Sequence, residues 1–328
     1  QLKALDGETR VVMEHTGRYY EPVANVLHEA GLHVSAVNPL LIREYGGNSL
    51  RRVKTDKADA VKIARYALDN WADLRDYTPM DTIRYDLKTL NRQFQLASKQ
   101  KTATANNLIA LQEQSFPGIR KCFDSPVRQD GTQKWVDFTY TFWHADCVRK
   151  HSLNAFAERY RKWCKRHGYI FKQSNAGEVY ALAKSAVTLV SSSEVTKLLV
   201  QEAANQLTGI SHSVETYRAE MNRLASMLPE YPVVMEMYGV GESFGPQLMA
   251  EIGDIRRFEH KKSLVAFAGV DPMPNQSGEK NVRSNRSSKR GSPHLRKTLF
   301  TAEAPQPMSR CTSSSTASGS KGNPSTST

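Results

Sequence analysis

The alternation of apolar and polar residues over the first seventy positions predicts strands and helices in turn. Residues 10–16 are apolar and end in polar groups, as in a buried strand, and residues 32–38 alternate like a second strand. Residues 20–30 between them, and residues 56–69 after them, carry apolar side chains at helical spacing. This order of strand, helix, strand and helix predicts an α/β domain, which we place at residues 1–78.

The middle of the chain changes to the spacing of long helices. A first series, apolar except for Lys101, recurs at steps of three and four through Leu87, Leu90, Phe94, Ala97 and Lys101, and Leu108 and Leu111 continue it. A second series alternates these steps without a break at Leu207, Ile210, Val214, Tyr217, Met221, Leu224 and Leu228. Such a seam is typical of a coiled coil. We therefore predict a helical region over residues 79–228, whose two long helices pair within the chain or across a dimer.

A basic stretch lies between the two apolar series. Residues 149–172 contain eight Lys or Arg and one acid, Glu158. Aromatic residues are interleaved with these cations: Phe156, Tyr160, Trp163, Tyr169 and Phe171. Two interpretations stay open, an amphipathic helix with a solvated basic face and a face that contacts phosphates.

Residues 229–300 are rich in glycine, basic residues and turns, and we expect them to form a mostly helical domain. A short helix, then Gly239 and Gly241, then a second helix indicate a helix–hairpin–helix element. The glycines would let backbone amides approach a phosphate closely. An ordinary tight turn between two helices is the alternative.

Composition and charge narrow the function classes. The chain has 328 residues with 45 Lys and Arg against 33 Asp and Glu, a net charge of +12. No stretch approaches the length of a membrane span, so we expect no membrane. The four cysteines are irregularly spaced without a Cys-x-x-Cys pair, which argues against a zinc ribbon and fits a reducing compartment. The surplus of positive charge favours a polyanionic partner.

The positive charge is dense near the C-terminal end. Residues 261–297 contain nine Lys or Arg and two acids. The candidate DNA-binding residues are Gly239, Gly241, Lys280, Arg283, Arg286, Lys289, Arg290 and Arg296. Serines lie among these cations, and a serine beside a glycine in a basic loop can attack a phosphodiester. A phosphate-binding loop and a plain surface loop are the alternatives. From Cys311 to Thr328, 11 of 18 residues are Ser or Thr, so we expect residues 301–328 to be disordered.

Three carboxylates are candidate metal ligands in the N-terminal region. Glu14 lies where the first strand ends, and Asp56 and Asp59 are three residues apart on the predicted helix, so they share a face. Three such acids could hold one or two Mg²⁺ ions. The alternative is capping, with Asp56 as N-cap and Asp59 in the first turn as the capping-box residue.

Eight motifs occur in the order of a known family. They are Val-Val-Met-Glu-His-Thr-Gly-Arg-Tyr-Tyr (11–20), Val-Asn-Pro (37–39), Arg-Val-Lys-Thr-Asp-Lys-Ala-Asp-Ala (52–60), Gly-Val-Gly (239–241), Ala-Glu-Ile-Gly-Asp-Ile-Arg-Arg-Phe (250–258), Phe-Ala-Gly-Val-Asp-Pro (267–272), Gln-Ser-Gly (276–278) and Lys-Arg-Gly-Ser-Pro-His-Leu-Arg-Lys (289–297). With these motifs, residues 5–300 resemble the DEDD-type transposases of the insertion-sequence "one-ten" family, relatives of the Piv DNA invertase.

The resemblance implies a fold, a site and partners. It implies an RNase H-like (RuvC-like) domain with four acids, a coiled coil, and a mostly helical transposase domain with a catalytic serine. Glu14, Asp56 and Asp59 match the second, third and fourth acids, and Ser277 matches the serine. The implied cofactor is Mg²⁺ at the acids. The implied partners are the DNA of element ends and target, an element-encoded guide RNA, and further copies of the chain in a dimer or tetramer. The implied location is the bacterial cytoplasm, at the nucleoid.

The chain departs from the family pattern at both ends. The first acid of the pattern lies about 50 residues before Glu14, further than the 13 residues that this sequence holds there. From Thr301 onward we find no family motif. We therefore predict a DNA transposase or recombinase that is truncated and inactive. The rival hypotheses are a non-catalytic nucleic-acid-binding remnant, a junction-resolving nuclease that uses only the acids, and an unfolded product.

Overall fold

The structure is a computed structural model. It describes residues 2–17, 19–45, 55–272, 276–277, 280–281 and 287–303. The chain divides into two compact units, residues 1–81 and residues 82–328. In the described part of the chain, no helix combines the length and the apolar character needed to cross a membrane.

The first unit is built on two parallel strands. Its elements are β1 (Arg10–Glu14), α1 (Tyr20–Glu29), β2 (His33–Val37), α2 (Pro39–Tyr45) and α3 (Asp56–Asp69). Arg10 lies opposite His33 and Glu14 opposite Val37 in the ladder. The strand–helix–strand order that the sequence predicted is confirmed, and α1 is the crossover that parallel strands require.

Helix α2 was not predicted. The strand predicted over residues 32–38 is followed at once by Pro39, which opens this helix. Proline suits the first helical turn because its φ is preset and its missing N–H has no helical partner there. The side chain of Asn38 stabilises this start, since its Oδ1 accepts a hydrogen bond of 2.9 Å from the Leu40 amide.

Two long helices pair within the second unit. They are α4 (Thr82–Ser115) and α9 (Glu194–Ala225). The predicted seam is buried or half-buried, with Val214 and Met221 of α9 in one core with Leu87 and Phe94 of α4. Of the two expected arrangements, the structure has the pairing within one chain. At 1.5 Å per residue, α4 is about 50 Å long.

A separate helical module lies between these helices, and we call residues 116–190 the insertion module. Its helices are α5 (Lys134–Thr141), α6 (Asp146–Arg149), α7 (Leu153–Arg166) and α8 (Gln173–Ser185). They enclose an aromatic core of Phe116, Phe138, Phe142, Phe156, Tyr160 and Trp163. The sequence predicted only a helical region here, without a core of its own.

The aromatic residues of the basic stretch therefore serve packing. The Phe138 ring lies 4.6 Å from Phe142 and 5.9 Å from Tyr160, between ring centroids. The polar groups of two buried rings, Tyr160 and Trp163, have hydrogen-bond partners. The Tyr160 hydroxyl donates to Asn175 Oδ1 at 2.7 Å, and Trp163 Nε1 donates to a threonine hydroxyl at 2.9 Å. This pattern is what buried Tyr and Trp need.

Six further elements follow α9 in the second unit. They are α10 (Tyr231–Met235), α11 (Gly245–Ile252), α12 (Lys261–Ala268), β3 (Gln276–Ser277), β4 (Lys280–Asn281) and α13 (Pro293–Glu303). Helix α11 contacts α4 and α9, and its Leu248 shares a core with Ala268 and Leu295. Because α13 continues to Glu303, the expectation that order ends at Phe300 is wrong by three residues. The rest of the predicted tail, residues 304–328, lies outside the described residues.

Candidate active site

Glu14 lies at the carboxyl end of the small sheet. It is the last residue of β1 and is half-buried. Just beyond it, the His15 amide donates to the Val37 carbonyl at 3.0 Å, so the backbone stays fixed to β2 one residue past the glutamate. The Thr16 hydroxyl lies 3.4 Å from Glu14 Oε2, a long hydrogen bond that orients the carboxylate. The sequence predicted this edge position.

Asp56 and Asp59 lie in the first turn of α3, but neither caps it. Thr55 is the N-cap, and its hydroxyl accepts the Ala58 amide at 3.2 Å. The expected capping roles of the two aspartates are therefore wrong. Both carboxylates are exposed and have no hydrogen-bond or ion-pair partner among the described residues. Helix capping, the alternative to metal binding for these two side chains, is therefore excluded.

The three acids suit Mg²⁺ in chemistry but do not form a complete ligand cluster. Carboxylate oxygens are the ligands that Mg²⁺ prefers, and this ion often binds through only one or two of them while keeping its waters. Helix α3 packs against β1, the strand that ends at Glu14. Within the described residues, however, no group of three or more His, Cys, Asp or Glu side chains is placed to hold a metal ion.

Ser277 lies on a small hairpin in the second unit. Strands β3 and β4 are antiparallel, with Ser277 opposite Lys280 and Gln276 opposite Asn281. Two residues connect the strands, the shortest common hairpin connection. Of the candidate DNA-binding residues, Arg283 and Arg286 lie outside the described residues.

A clamp of backbone and side-chain contacts closes the base of the loop that carries Ser277. Pro272 and Ser287 form an antiparallel bridge. Next to it, the Ser288 amide donates to the Asp271 carbonyl at 2.9 Å, and the Ser288 hydroxyl donates to the Asp271 carboxylate. The two ends of the loop are therefore held together, which limits where Ser277 can go.

Two glycines let the backbones cross below this clamp. Gly269 has a positive φ of 67°, which favours glycine. A Cβ on Gly291 would lie 2.1 Å from the Phe267 carbonyl oxygen and 2.4 Å from the Gly269 amide. The sequence analysis missed this clamp, although both glycines stand in the quoted motifs and their spacing is the signal that could have revealed it.

The remaining candidate cations divide into two groups. Lys289 and Arg290 are exposed and follow the clamp directly. Lys289 has a positive φ of 54°, a strained conformation for a non-glycine residue. Arg296 is half-buried, and its Nη1 donates to the Ala268 carbonyl at 3.2 Å. Arg296 therefore ties α13 to α12, a role that the sequence did not indicate.

The glycine turn between α10 and α11 has the order of elements expected for the helix–hairpin–helix. At position 239 the φ is 76°, so the turn itself requires a glycine there. Gly241 has no such need, since a Cβ there would meet nothing within 4 Å. The phosphate hypothesis therefore rests on Gly241. The charge around it is unfavourable, because residues 224–255 contain five acids and no Lys or Arg.

Comparison with known proteins identifies the family of both ends of the chain. Residues 1–117 match a DEDD transposase model of the IS110 group, described as "Transposase". Residues 231–317 match the model described as "Transposase IS116/IS110/IS902 family". The chain belongs to the IS110 transposase family. This is the "one-ten" family that the motifs indicated.

Three relatives match at low identity over most of the chain. The pilin gene-inverting proteins of Moraxella bovis and Moraxella lacunata are each 24% identical over 293 residues, covering 88% of this chain and 65% of the relative. The insertion element IS116 uncharacterized 44.8 kDa protein of Streptomyces clavuligerus is 21% identical over 280 residues, covering 83% of this chain and 66% of the relative. The chain thus spans just under two thirds of the length of these relatives.

One expectation about the family match is wrong. We expected the resemblance to end at Phe300, but the family match runs to residue 317. It therefore includes part of the Ser/Thr-rich tail.

Proposed function

We propose that the chain is a DNA transposase or recombinase of an insertion sequence, which binds, cleaves and exchanges DNA strands. The observation that carries the proposal is that one chain holds both chemical elements of the family. The segment with the three acids and the segment with the serine hairpin each match a family model. The relatives named for inverting a pilin gene support an exchange of strands within DNA.

The first unit supplies the acidic site in this proposal. We assign Glu14, Asp56 and Asp59 as ligands of Mg²⁺ and the unit itself to the RNase H-like (RuvC-like) fold. Unpaired Asp56 and Asp59 within one helical turn repel each other, and a bound cation removes this repulsion. The ion, when bound, supplies a Lewis acid for a phosphodiester oxygen.

The second unit supplies the nucleophile. The Ser277 oxygen attacks phosphorus, a P–O bond to the serine forms, and the P–O bond to the leaving strand breaks. The serine loses its proton and the leaving oxygen gains one. The phosphodiester is thereby kept as a serine ester, which a hydroxyl of another strand can attack in turn. Lys280 in the hairpin, and Lys289 and Arg290 after it, supply positive charge that stabilises the transition state.

The DNA of the element ends and of the target is the proposed substrate. Gly241, Arg283 and Arg286 complete the proposed DNA contacts. Gly239 shapes the turn that carries Gly241, and Arg296 holds α13 on α12. We further propose a homo-oligomer, a dimer or tetramer, because strand exchange joins two DNA partners. An element-encoded guide RNA and a location at the bacterial nucleoid belong to the same proposal.

Strand cleavage of an element-end duplex with Mg²⁺ tests this function, and cleavage by the unaltered chain would contradict the expectation that it is inactive. Ser277→Ala should abolish cleavage and the covalent protein–DNA product, which is visible as a band resistant to denaturing electrophoresis. Asp56→Asn with Asp59→Asn should abolish cleavage while leaving binding intact. A readout without activity is available too, since Mg²⁺ should raise the unfolding temperature of the unaltered chain and not that of the double variant.

Two outcomes would favour the rivals. Cleavage that survives Ser277→Ala but not Asp59→Asn would indicate a junction-resolving nuclease that uses only the acids. Binding without cleavage in any variant would indicate a non-catalytic remnant, a candidate that the incomplete acid cluster among the described residues favours.

A further inference from the structure

The insertion module presents a row of cations that the proposed chemistry does not use. Helix α7 exposes Arg159, Arg161, Lys162, Lys165 and Arg166, against the single acid Glu158. We infer that this face of α7 binds the phosphate backbone of duplex DNA. The inference rests on the proposed action on DNA and deepens it by adding a second contact surface, far along the chain from the serine hairpin.

The cations of α7 are mostly unpaired, whereas those of the neighbouring helix are not. Arg149 and Lys150 lie 2.5 Å and 3.4 Å from carboxylate oxygens of Asp146. On α7, Arg161 lies 3.0 Å from Glu158. Within the part of the chain that the structure describes, the exposed heads of Lys162, Lys165 and Arg166 have no acid within 4 Å. Their charge is therefore available to a ligand.

The fold of α7 does not require these cations. The opposite face of the helix carries the buried Phe156, Tyr160 and Trp163, and the Ser152 hydroxyl caps the helix by accepting the Ala155 amide at 3.3 Å. The helix dipole accounts for cations in the last turn. It does not account for Lys162, which lies one turn earlier.

The spacing places three of the cations along one groove. Arg159, Lys162 and Arg166 stand at steps of three and four, so they lie in a row on one side of α7. This row borders a groove of about 360 Å³ that Thr141, Phe142, Glu158 and Trp163 also line. The one carboxylate there, Glu158, is paired with Arg161. The row spans about 10 Å along the helix axis. A row of point charges beside a groove suits a backbone with regularly spaced phosphates.

The same face argues against other polyanions. Unpaired bases bind by stacking on aromatic rings, but the rings of α7 are buried. A lipid surface needs apolar side chains beside the cations, and the exposed α7 residue of this kind is Leu153, at the start of the helix. A duplex needs neither, because its bases are paired and stacked inside while the phosphate backbone lies on the outside.

A salt titration of DNA binding tests the inference with the full chain. The test variant is Lys162→Gln with Lys165→Gln and Arg166→Gln. The control removes the same charge elsewhere, by Lys99→Gln with Lys121→Gln and Lys197→Gln. For a duplex longer than the cleaved site, the slope of log affinity against log salt should fall by about 2 to 3 in the test variant, near 0.9 per lost phosphate contact. In the control the slope should stay the same.

Each other result overturns the inference. Equal losses in both variants would mean a nonspecific effect of net charge, and an unchanged slope would mean no contact. A larger loss on an RNA duplex of the same sequence would assign the face to RNA. Circular dichroism melting verifies that both variants fold. If the unaltered chain fails to cleave DNA while the slope difference persists, the proposed function fails and the inference stands.

Discussion

Arg92 on α4 and Glu251 on α11 form an ion pair between a half-buried arginine and a buried carboxylate, with Arg92 Nη2 2.9 Å from Glu251 Oε2. The Glu251 side chain is only 1% exposed, and its other oxygen accepts a hydrogen bond of 2.6 Å from Asn91 Nδ2. About two turns earlier on α4, Arg84 pairs with Glu230 at 2.5 Å. Charged groups of the first long helix therefore hold the C-terminal helices in register.

Removing the Glu251 carboxylate should destabilise the chain strongly. Glu251→Ala leaves the half-buried Arg92 and the buried Asn91 amide without their partner, which costs about 1–3 kcal/mol of unfolding free energy. Urea unfolding at pH 7 measures the change. The exposed Glu242 is the matched control, and Glu242→Ala should change stability by no more than about 0.5 kcal/mol. Recovery in the double variant Arg92→Met with Glu251→Leu would support the buried-charge explanation, and failure to recover would contradict it.

The same carboxyl should make stability depend on pH. Burial raises the pKa of Glu251 above its ordinary value of 4.5, and the Arg92 charge opposes this only in part. The folded state therefore keeps the proton longer than the unfolded state. The stability from this preference is full below pH 4.5 and is lost as the pH rises through the folded pKa. As the pH rises from 4.5 through the raised pKa, the unfolding free energy should thus fall less for Glu251→Gln than for the unaltered chain.

His294 contributes with the opposite sign. Burial and the nearby charge of Arg92 lower the pKa of His294 from its ordinary value of 6.5. Its stabilisation is present above pH 6.5 and is lost as the pH falls through the lowered pKa. Since His294 is present in both proteins, its contribution cancels in the difference between the unaltered chain and Glu251→Gln. If the curves of unfolding free energy against pH run parallel for the unaltered chain and Glu251→Gln, the prediction for Glu251 is contradicted.

The two glycines of the α10–α11 turn should respond differently to alanine. Gly239→Ala forces a residue with a side chain to a φ of 76°, which costs about 1–2 kcal/mol. Gly241→Ala places its methyl group in open space and should leave stability unchanged. If a phosphate approaches this backbone, Gly241→Ala should weaken DNA binding. Unchanged affinity, measured by fluorescence anisotropy, would leave the turn as a structural element, as its acidic surroundings also suggest.

The backbone crossing under the serine loop should not tolerate a side chain. Gly291→Ala brings a methyl carbon to 2.1 Å from the Phe267 carbonyl oxygen, so the crossing has to open. We expect cleavage by Ser277 to be lost, and hydrogen exchange to increase in residues 267–272 and 287–292. The control is Gly209→Ala in the middle of α9, where the methyl group meets nothing and should stabilise the helix by about 0.5–1 kcal/mol. Normal cleavage by Gly291→Ala would contradict the positioning role.

The sequence predicted local elements well because their signals are local. The helix over 56–69 and the α9 seam follow from apolar spacing, and both stand in the structure. The insertion module was missed because its core joins residues from Phe116 to Ala183 across several short helices. Periodicity within one helix carries no information on such contacts. The clamp at Asp271 and Ser288 was missed for the same reason, since it joins residues on either side of a loop.

The ends of the insertion module return the chain to the place where it left. The Leu189 amide donates to the Gln114 carbonyl at 2.8 Å, so the segment leading into α9 meets the last turn of α4. Roughly eighty residues separate the two long helices in sequence, and closing a loop of that length reduces chain entropy. Once the module has formed, most of that entropy is already lost. We therefore expect the aromatic core around Phe138 to shorten the effective loop between α4 and α9. The two long helices then pair almost as if they were neighbours in sequence.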